Sequence, residues 1–93
     1  RDKPRHSHLR DQNQAAHKAY LDDRKAILLA AGAMLDDDGA SAHGGILIVD
    51  VETREEAENF VNADPFSAAG LFESVRITRW RKAFFEYKRL VDL

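Results

Sequence analysis

The alternation of apolar and polar positions along this 93-residue chain predicts the order helix, strand, hairpin, strand, helix, strand. Residues 1–12 are polar, contain Pro4 and show no period, which predicts a loop. A helix is expected from near Asn13 through His17, Tyr20, Leu21 and Arg24, although its apolar residues wrap much of the cylinder. Ile27–Ala31 is a short continuous apolar run that fits either a buried strand or an extension of that helix. Gly32 behind it and a turn signal soon after favour the strand. The turn signal is Asp36-Asp37-Asp38-Gly39, because Asp-Gly supplies the positive φ that a tight hairpin needs. Ile46–Val51, β-branched and preceded by Gly44-Gly45, is the clearest strand.

Thr53 and Glu56 then have capping-box spacing, and Ala57, Phe60 and Val61 form an i, i+3, i+4 stripe that predicts an amphipathic helix. Pro65 ends or redirects that helix, and Gly70 punctuates a turn. Ser74–Trp80 alternates as a half-buried strand, and the tail from Arg81 either prolongs it or becomes a terminal helix. With one strand ahead of Arg1 the order becomes βαββαβ, an α+β arrangement with two helices on one face of an antiparallel sheet. That first strand would lie centrally, so a strand upstream of residue 1 is expected. Residues 1–93 read as a single domain.

Composition narrows the function classes. The chain has no cysteine, which excludes disulfides, thiolate metal sites and cysteine nucleophiles. No apolar run approaches the roughly 18 residues of a membrane span, so a cytoplasmic protein with no membrane partner is expected. The net charge of −2 hides a segregation. Residues 1–30 carry +3, residues 31–75 carry −9 and residues 76–93 carry +4. Such a pattern suits a self-complementary surface or simply marks loops and strands. The basic and aromatic tail Arg76–Arg89 is weak grounds for nucleic-acid binding in a chain that is acidic overall, and none is expected.

Two residues stand out chemically. Asp64 falls at i+4 from Phe60 and i+3 from Val61, on the core-facing stripe if the helix reaches it, where a carboxylate suits acid–base work. Asp64-Pro65 is equally an N-cap followed by proline at the first helical position, the reading that spacing alone favours. His17 lies mid-helix with Tyr20, Leu21 and Arg24 at i+3, i+4 and i+7. It is either a base beside a phenol and an anion-binding guanidinium, or ordinary packing. His6 and His8 flank Ser7 in the expected loop without a carboxylate cluster, and Asp36–Asp38 lacks the spacing of a calcium loop, so neither a metal nor another cofactor is expected.

Taken together, Gly44-Gly45-Ile46-Leu47-Ile48-Val49, Thr53–Glu58, Ala63-Asp64-Pro65-Phe66, Gly70–Val75 and Trp80-Arg81 resemble the YCII-related family. The resemblance reaches back through Asp2-Lys3-Pro4 and the His17–Leu21 helix. It implies a ferredoxin-like fold of the dimeric α/β-barrel superfamily and a homodimer, which would also bury the apolar sheet face. It implies too that His17 and Asp64 are the active-site pair, since a helical histidine and the aspartate of an Asp-Pro motif hold that role in the family. Gln14 stands where many members carry arginine. Tyr20, Arg24, Phe66 and Trp80 are the expected substrate-binding neighbours. The expected function is that of a small cofactor-independent enzyme doing His/Asp acid–base chemistry on a small organic acid or lactone-like ligand. The alternative is a non-catalytic dimer that binds a small molecule or a protein.

Overall fold

The computed structural model describes residues 1–92. Its first helix, α1, spans Ser7–Asp23 and begins two turns before the apolar pattern predicts. The reason lies in which residues face inward. Leu9, Arg10, Asn13, His17, Tyr20 and Leu21 are the half-buried positions, a helical stripe in which three members are polar and escape a hydrophobicity count. His8 is therefore helical rather than part of a loop.

A 3-10 turn, Lys25–Ile27, leads into β1 (Leu28–Leu35), which runs on through Gly32 rather than stopping there. Gly39, at φ +74°, closes the hairpin, with the Asp38 carboxylate accepting from the backbone N–H groups of Ala40 and Ser41. β2 (Ala42–Val49) then pairs antiparallel with β1, from Leu28 opposite Val49 to Leu35 opposite Ala42. β2 starts four residues earlier than Ile46 because Gly44 and Gly45 belong to it. A Cβ at Gly44 would push aside the Met34 methyl and lie 3.3 Å from Arg1 Cα, so glycine lets the chain start sit close against β2.

α2 (Arg54–Asn62) begins as the cap predicts, with Thr53 Oγ1 accepting from Glu56 N–H. The reciprocal half differs: the Glu56 carboxylate accepts from the Thr53 hydroxyl rather than from its backbone. α2 ends before Asp64, which caps a separate one-turn helix, α3 (Pro65–Ala68). The buried apolar core is Phe60, Phe66 and Leu71, where α1, α2 and α3 meet.

Arg1–Lys3 run antiparallel between the start of β2 and residues 71–74. Asp2 N–H donates to His43 O at 2.9 Å, Lys3 N–H to Leu71 O at 2.8 Å, and Glu73 N–H to Arg1 O at 2.7 Å. Between Ser74 and Trp80 no ladder forms, so this segment is not the regular strand its alternation predicts. That segment is held by side chains instead: Arg54 Nη1 donates to Ile77 O, and Arg79 Nη2 to Glu52 O. The tail is neither a strand extension nor a helix. It forms a second hairpin, β3 (Phe84–Phe85) with β4 (Lys88–Arg89), turning through Glu86 and Tyr87.

Candidate active site

α1 carries His17 toward α3 across 47 residues of sequence, and the His17 Nδ1 and Asp64 Oδ1 atoms meet at 2.8 Å. A carboxylate oxygen only accepts, so Nδ1 carries a proton, and in the neutral ring Nε2 is the nitrogen with the lone pair. Asp64 is completely buried. Its Oδ1 also accepts from Phe66 N–H at 2.9 Å, while Oδ2, equally buried, has no protein partner. Both readings of this residue thus coexist: the oxygen that caps α3 is also the one that holds the imidazole. Pro65 directs the chain so that the next side chain, Phe66, lies against His17, with ring centroids 4.0 Å apart and planes 16° from parallel. The imidazole is fixed by a charged acceptor at one nitrogen and by an aromatic face.

A second pair supports Phe66. Arg10 Nε donates to Asp2 Oδ2 at 2.7 Å and Nη2 to Oδ1 at 3.1 Å, a bidentate, largely buried pairing. The Arg10 guanidinium also lies 4.8 Å from the Phe66 ring centroid. Arg10 and His17 are seven residues apart on one face, about 10.5 Å along the helix axis, which leaves room for the ring between them. Sequence reasoning missed Arg10 and Asp2. The available signal was the i, i+7 spacing from Arg10 to His17.

His17 and Phe66 open onto a cleft whose walls include β2, the inner faces of α1 and α2, and residues 74–80. Its charged lining is mostly basic: beside Arg1 and Arg10, the side chains of Lys18, Arg54, Arg76, Arg79 and Lys82 outnumber Asp50, Glu52 and Asp64. Trp80 is 49% exposed and contributes to this lining. Tyr20 and Arg24 lie elsewhere, in a smaller depression with Ile27, Val51, Glu56, Asn59, Phe60 and Ala63. At 100° per residue, Gln14, Lys18 and Leu21 are rotated about 60°, 100° and 40° to one side of His17, and Tyr20 about 60° to the other. The Tyr20 hydroxyl donates to Phe60 O at 2.8 Å, and Arg24 stacks over its ring at 5.2 Å. Burial raises the Tyr20 pKa, Arg24 opposes that, and the Asp64 charge adds to it. Among the described residues no cluster of three or more His, Asp or Glu could hold a metal ion. Nor is any described helix long and apolar enough to cross a membrane.

Residues 1–81 match the YCII-related domain. The chain belongs to the YCII-related family. It is 37% identical over 62 residues to the protein YciI of Escherichia coli and, equally, to that of Shigella flexneri. Those matches cover 61% of this chain and 63% of each relative, so the chain spans less than two thirds of their length. Among solved structures it resembles 5-chloro-2-hydroxyhydroquinone dehydrochlorinase from Burkholderia phenoliruptrix, in complex with 2,5-dihydroxybenzoquinone. The TM-score is 0.80 at 36% identity, covering 86% of either chain. The fold of this YCII-related chain is thus ferredoxin-like α+β, with an antiparallel sheet and packed helices.

Proposed function

We propose that this protein is a small enzyme that moves a proton on a small oxygenated organic molecule, with His17 as the proton carrier. The observation that carries this reading is the 2.8 Å bond from His17 Nδ1 to the fully buried Asp64. That bond leaves Nε2 as the acceptor, and the carboxylate stabilises the imidazolium that forms when Nε2 takes a proton. The proton leaves a substrate O–H or acidic C–H. The electron pair left behind becomes part of a C=O or C=C bond, and His17 returns the proton to another atom of the same molecule. Where the molecule carries a leaving group such as chloride, the freed pair instead forms the new double bond as chloride departs with its bonding pair, and His17 releases the proton to solvent.

The substrate class is a small organic acid, lactone or hydroxylated ring. The basic lining of the cleft supports an anionic ligand. The related dehydrochlorinase, which acts on a chlorinated hydroxyhydroquinone, supports a hydroxylated ring. Phe66 and Trp80 would contact the ring, while Tyr20 and Arg24 act from outside the cleft. In this reading the chain works as a homodimer.

The test is proton–deuteron exchange in heavy water with a panel of hydroxyquinols, dihydroxybenzoquinones and small lactones. Exchange or elimination should be detectable by NMR and fall by about 100-fold or more in His17→Ala. A panel member that binds but shows equal exchange in wild type and His17→Ala would remove the catalytic reading and leave a binding module.

A further inference from the structure

The family match ends at residue 81, and the chain beyond it builds a structure of its own. Ala83–Leu90 fold back as the β3–β4 hairpin, closed by Leu90 N–H donating to Ala83 O at 2.7 Å. Its turn residues, Glu86 and Tyr87, have φ of +50° and +65°. Both positions normally call for glycine or asparagine, so the turn is costly for this sequence. Two strands of two residues are also too few to hold a hairpin alone in water.

The hairpin leaves large apolar side chains in solvent. Phe84 is 63% exposed, Leu90 49%, Val91 37%, and Tyr87 at the tip is fully exposed. Four such side chains within eight residues make a patch of the kind that marks an interaction site. The Cα radius of gyration, 14.4 Å, exceeds the roughly 12 Å of a compact chain of this length, consistent with an arm that stands off the body.

Charge indicates what the arm meets. Residues 76–93 carry +4, with Arg81, Lys82, Lys88 and Arg89 on or beside the hairpin, whereas residues 31–75 carry −9. The acidic segment includes the β1–β2 turn, where Asp36, Asp37 and Asp38 are all exposed. Beside that turn Leu35 is 45% exposed. An apolar, basic arm and an apolar, acidic hairpin end are thus complementary surfaces present on every copy.

We propose that the β3–β4 arm of one protomer docks on the acidic end of the β1–β2 hairpin of a second copy, and that two-fold symmetry makes the contact twice. Tyr87 and Phe84 cover Leu35 of the partner, while Lys88 and Arg89 face its acidic turn. This rests on the homodimer reading only in taking a second copy as the occupant. Two reciprocal contacts fit a C2 dimer, and complementary charge sets the register more than the affinity.

The absence of native cysteine makes the test direct. Tyr87→Cys and Asp37→Cys chains are mixed under mild oxidation and compared with each chain oxidised alone. The expected result is a disulfide-linked heterodimer formed at micromolar concentration. A second pair of variants uses exposed side chains that make no hydrogen bond to the turn or the cleft: Asp37→Lys, and Lys88→Glu/Arg89→Glu. Each alone should raise the dimer Kd by about tenfold or more, and mixing the two should restore association. A dimer that persists unchanged in both reversed variants, with no cross-link, would overturn the arm contact while leaving the homodimer reading intact. A full-length chain that is monomeric in sedimentation at the same concentration would overturn both.

Discussion

His17 and Phe66 lie face to face at 4.0 Å, and the backbone N–H of Phe66 donates to the same Asp64 oxygen that accepts from His17. One aromatic residue therefore sets the position of the imidazole twice, through its ring and through its amide. Because Phe66 is only 2% exposed, its ring is also a main part of the small core. Shortening it separates the two functions.

Phe66→Ala should destabilise the protein by about 3–5 kcal/mol, since truncating a buried aromatic removes transfer free energy and leaves a cavity. Phe66→Leu keeps most of the volume and the amide, so it should cost less than half as much. Urea denaturation of the two variants gives the comparison. In Phe66→Leu the His17 ring loses its stacking face but keeps its carboxylate, so its aromatic proton shifts should move downfield, out from over the ring, while its Nδ1–H signal persists.

Asp64→Asn tests the electronic half of the pair. Phe66 N–H needs an acceptor at the Oδ1 position, so the amide oxygen takes that place and still accepts from His17 Nδ1–H, while the negative charge is lost. Nitrogen-15 NMR of His17 should therefore show the ring proton still on Nδ1. Any proton-transfer activity should fall by at least about 100-fold, because a neutral amide no longer stabilises the imidazolium. Activity equal to that of wild type would show that the Asp64 charge plays no part in proton transfer, whatever its role as a cap.

Much of this site was legible in local sequence chemistry. Asp64-Pro65 reads as a cap and is one, Thr53 caps α2 as spacing predicts, and Gly39 turns the hairpin. What was not legible depends on partners distant in the chain. The first turns of α1 face inward through Arg10 and Asn13, whose burial is offset by Asp2 and by Leu9 O. A hydrophobic pattern cannot register such pairs. Gly44 reads as a flank until the approach of Met34 and Arg1 shows why it lies within β2. Ser74–Trp80 has a strand's alternation, but a strand is completed by a ladder, and side-chain bonds to α2 and Glu52 hold it instead. Tyr20 shares α1 with His17, yet a rotation of about 60° takes it to another surface, and Arg24 lies past the helix end.

The cap on α2 gives a prediction with little ambiguity. Thr53 Oγ1 accepts from Glu56 N–H at 3.2 Å and donates to its carboxylate at 3.1 Å. Thr53→Ala should cost about 1 kcal/mol, the usual worth of an N-cap, and Thr53→Ser much less. Amide exchange should accelerate at Glu55 and Glu56 before it does at Phe60, since the loss begins at the helix start.

Tyr20 links the smaller depression to alkaline stability. Its hydroxyl donates to Phe60 O at 2.8 Å, and its pKa is raised above the ordinary 10.0 of a tyrosine, chiefly by burial. A group whose folded pKa exceeds its unfolded pKa adds stability that is fully present below the unfolded value, near 10. As pH rises through the folded value, that contribution disappears, because the phenolate is better accommodated in the unfolded chain and can no longer donate to Phe60 O. The protein should therefore lose stability steadily above about pH 10. Tyr20→Phe should lower stability at neutral pH by about 1 kcal/mol, the net worth of one hydrogen bond. It should also flatten the alkaline decline. Urea midpoints measured from pH 7 to 11 in a Tyr87→Phe background, where Tyr20 is the sole remaining tyrosine, isolate the effect. An alkaline slope that is the same with and without the Tyr20 hydroxyl would assign the decline to other groups.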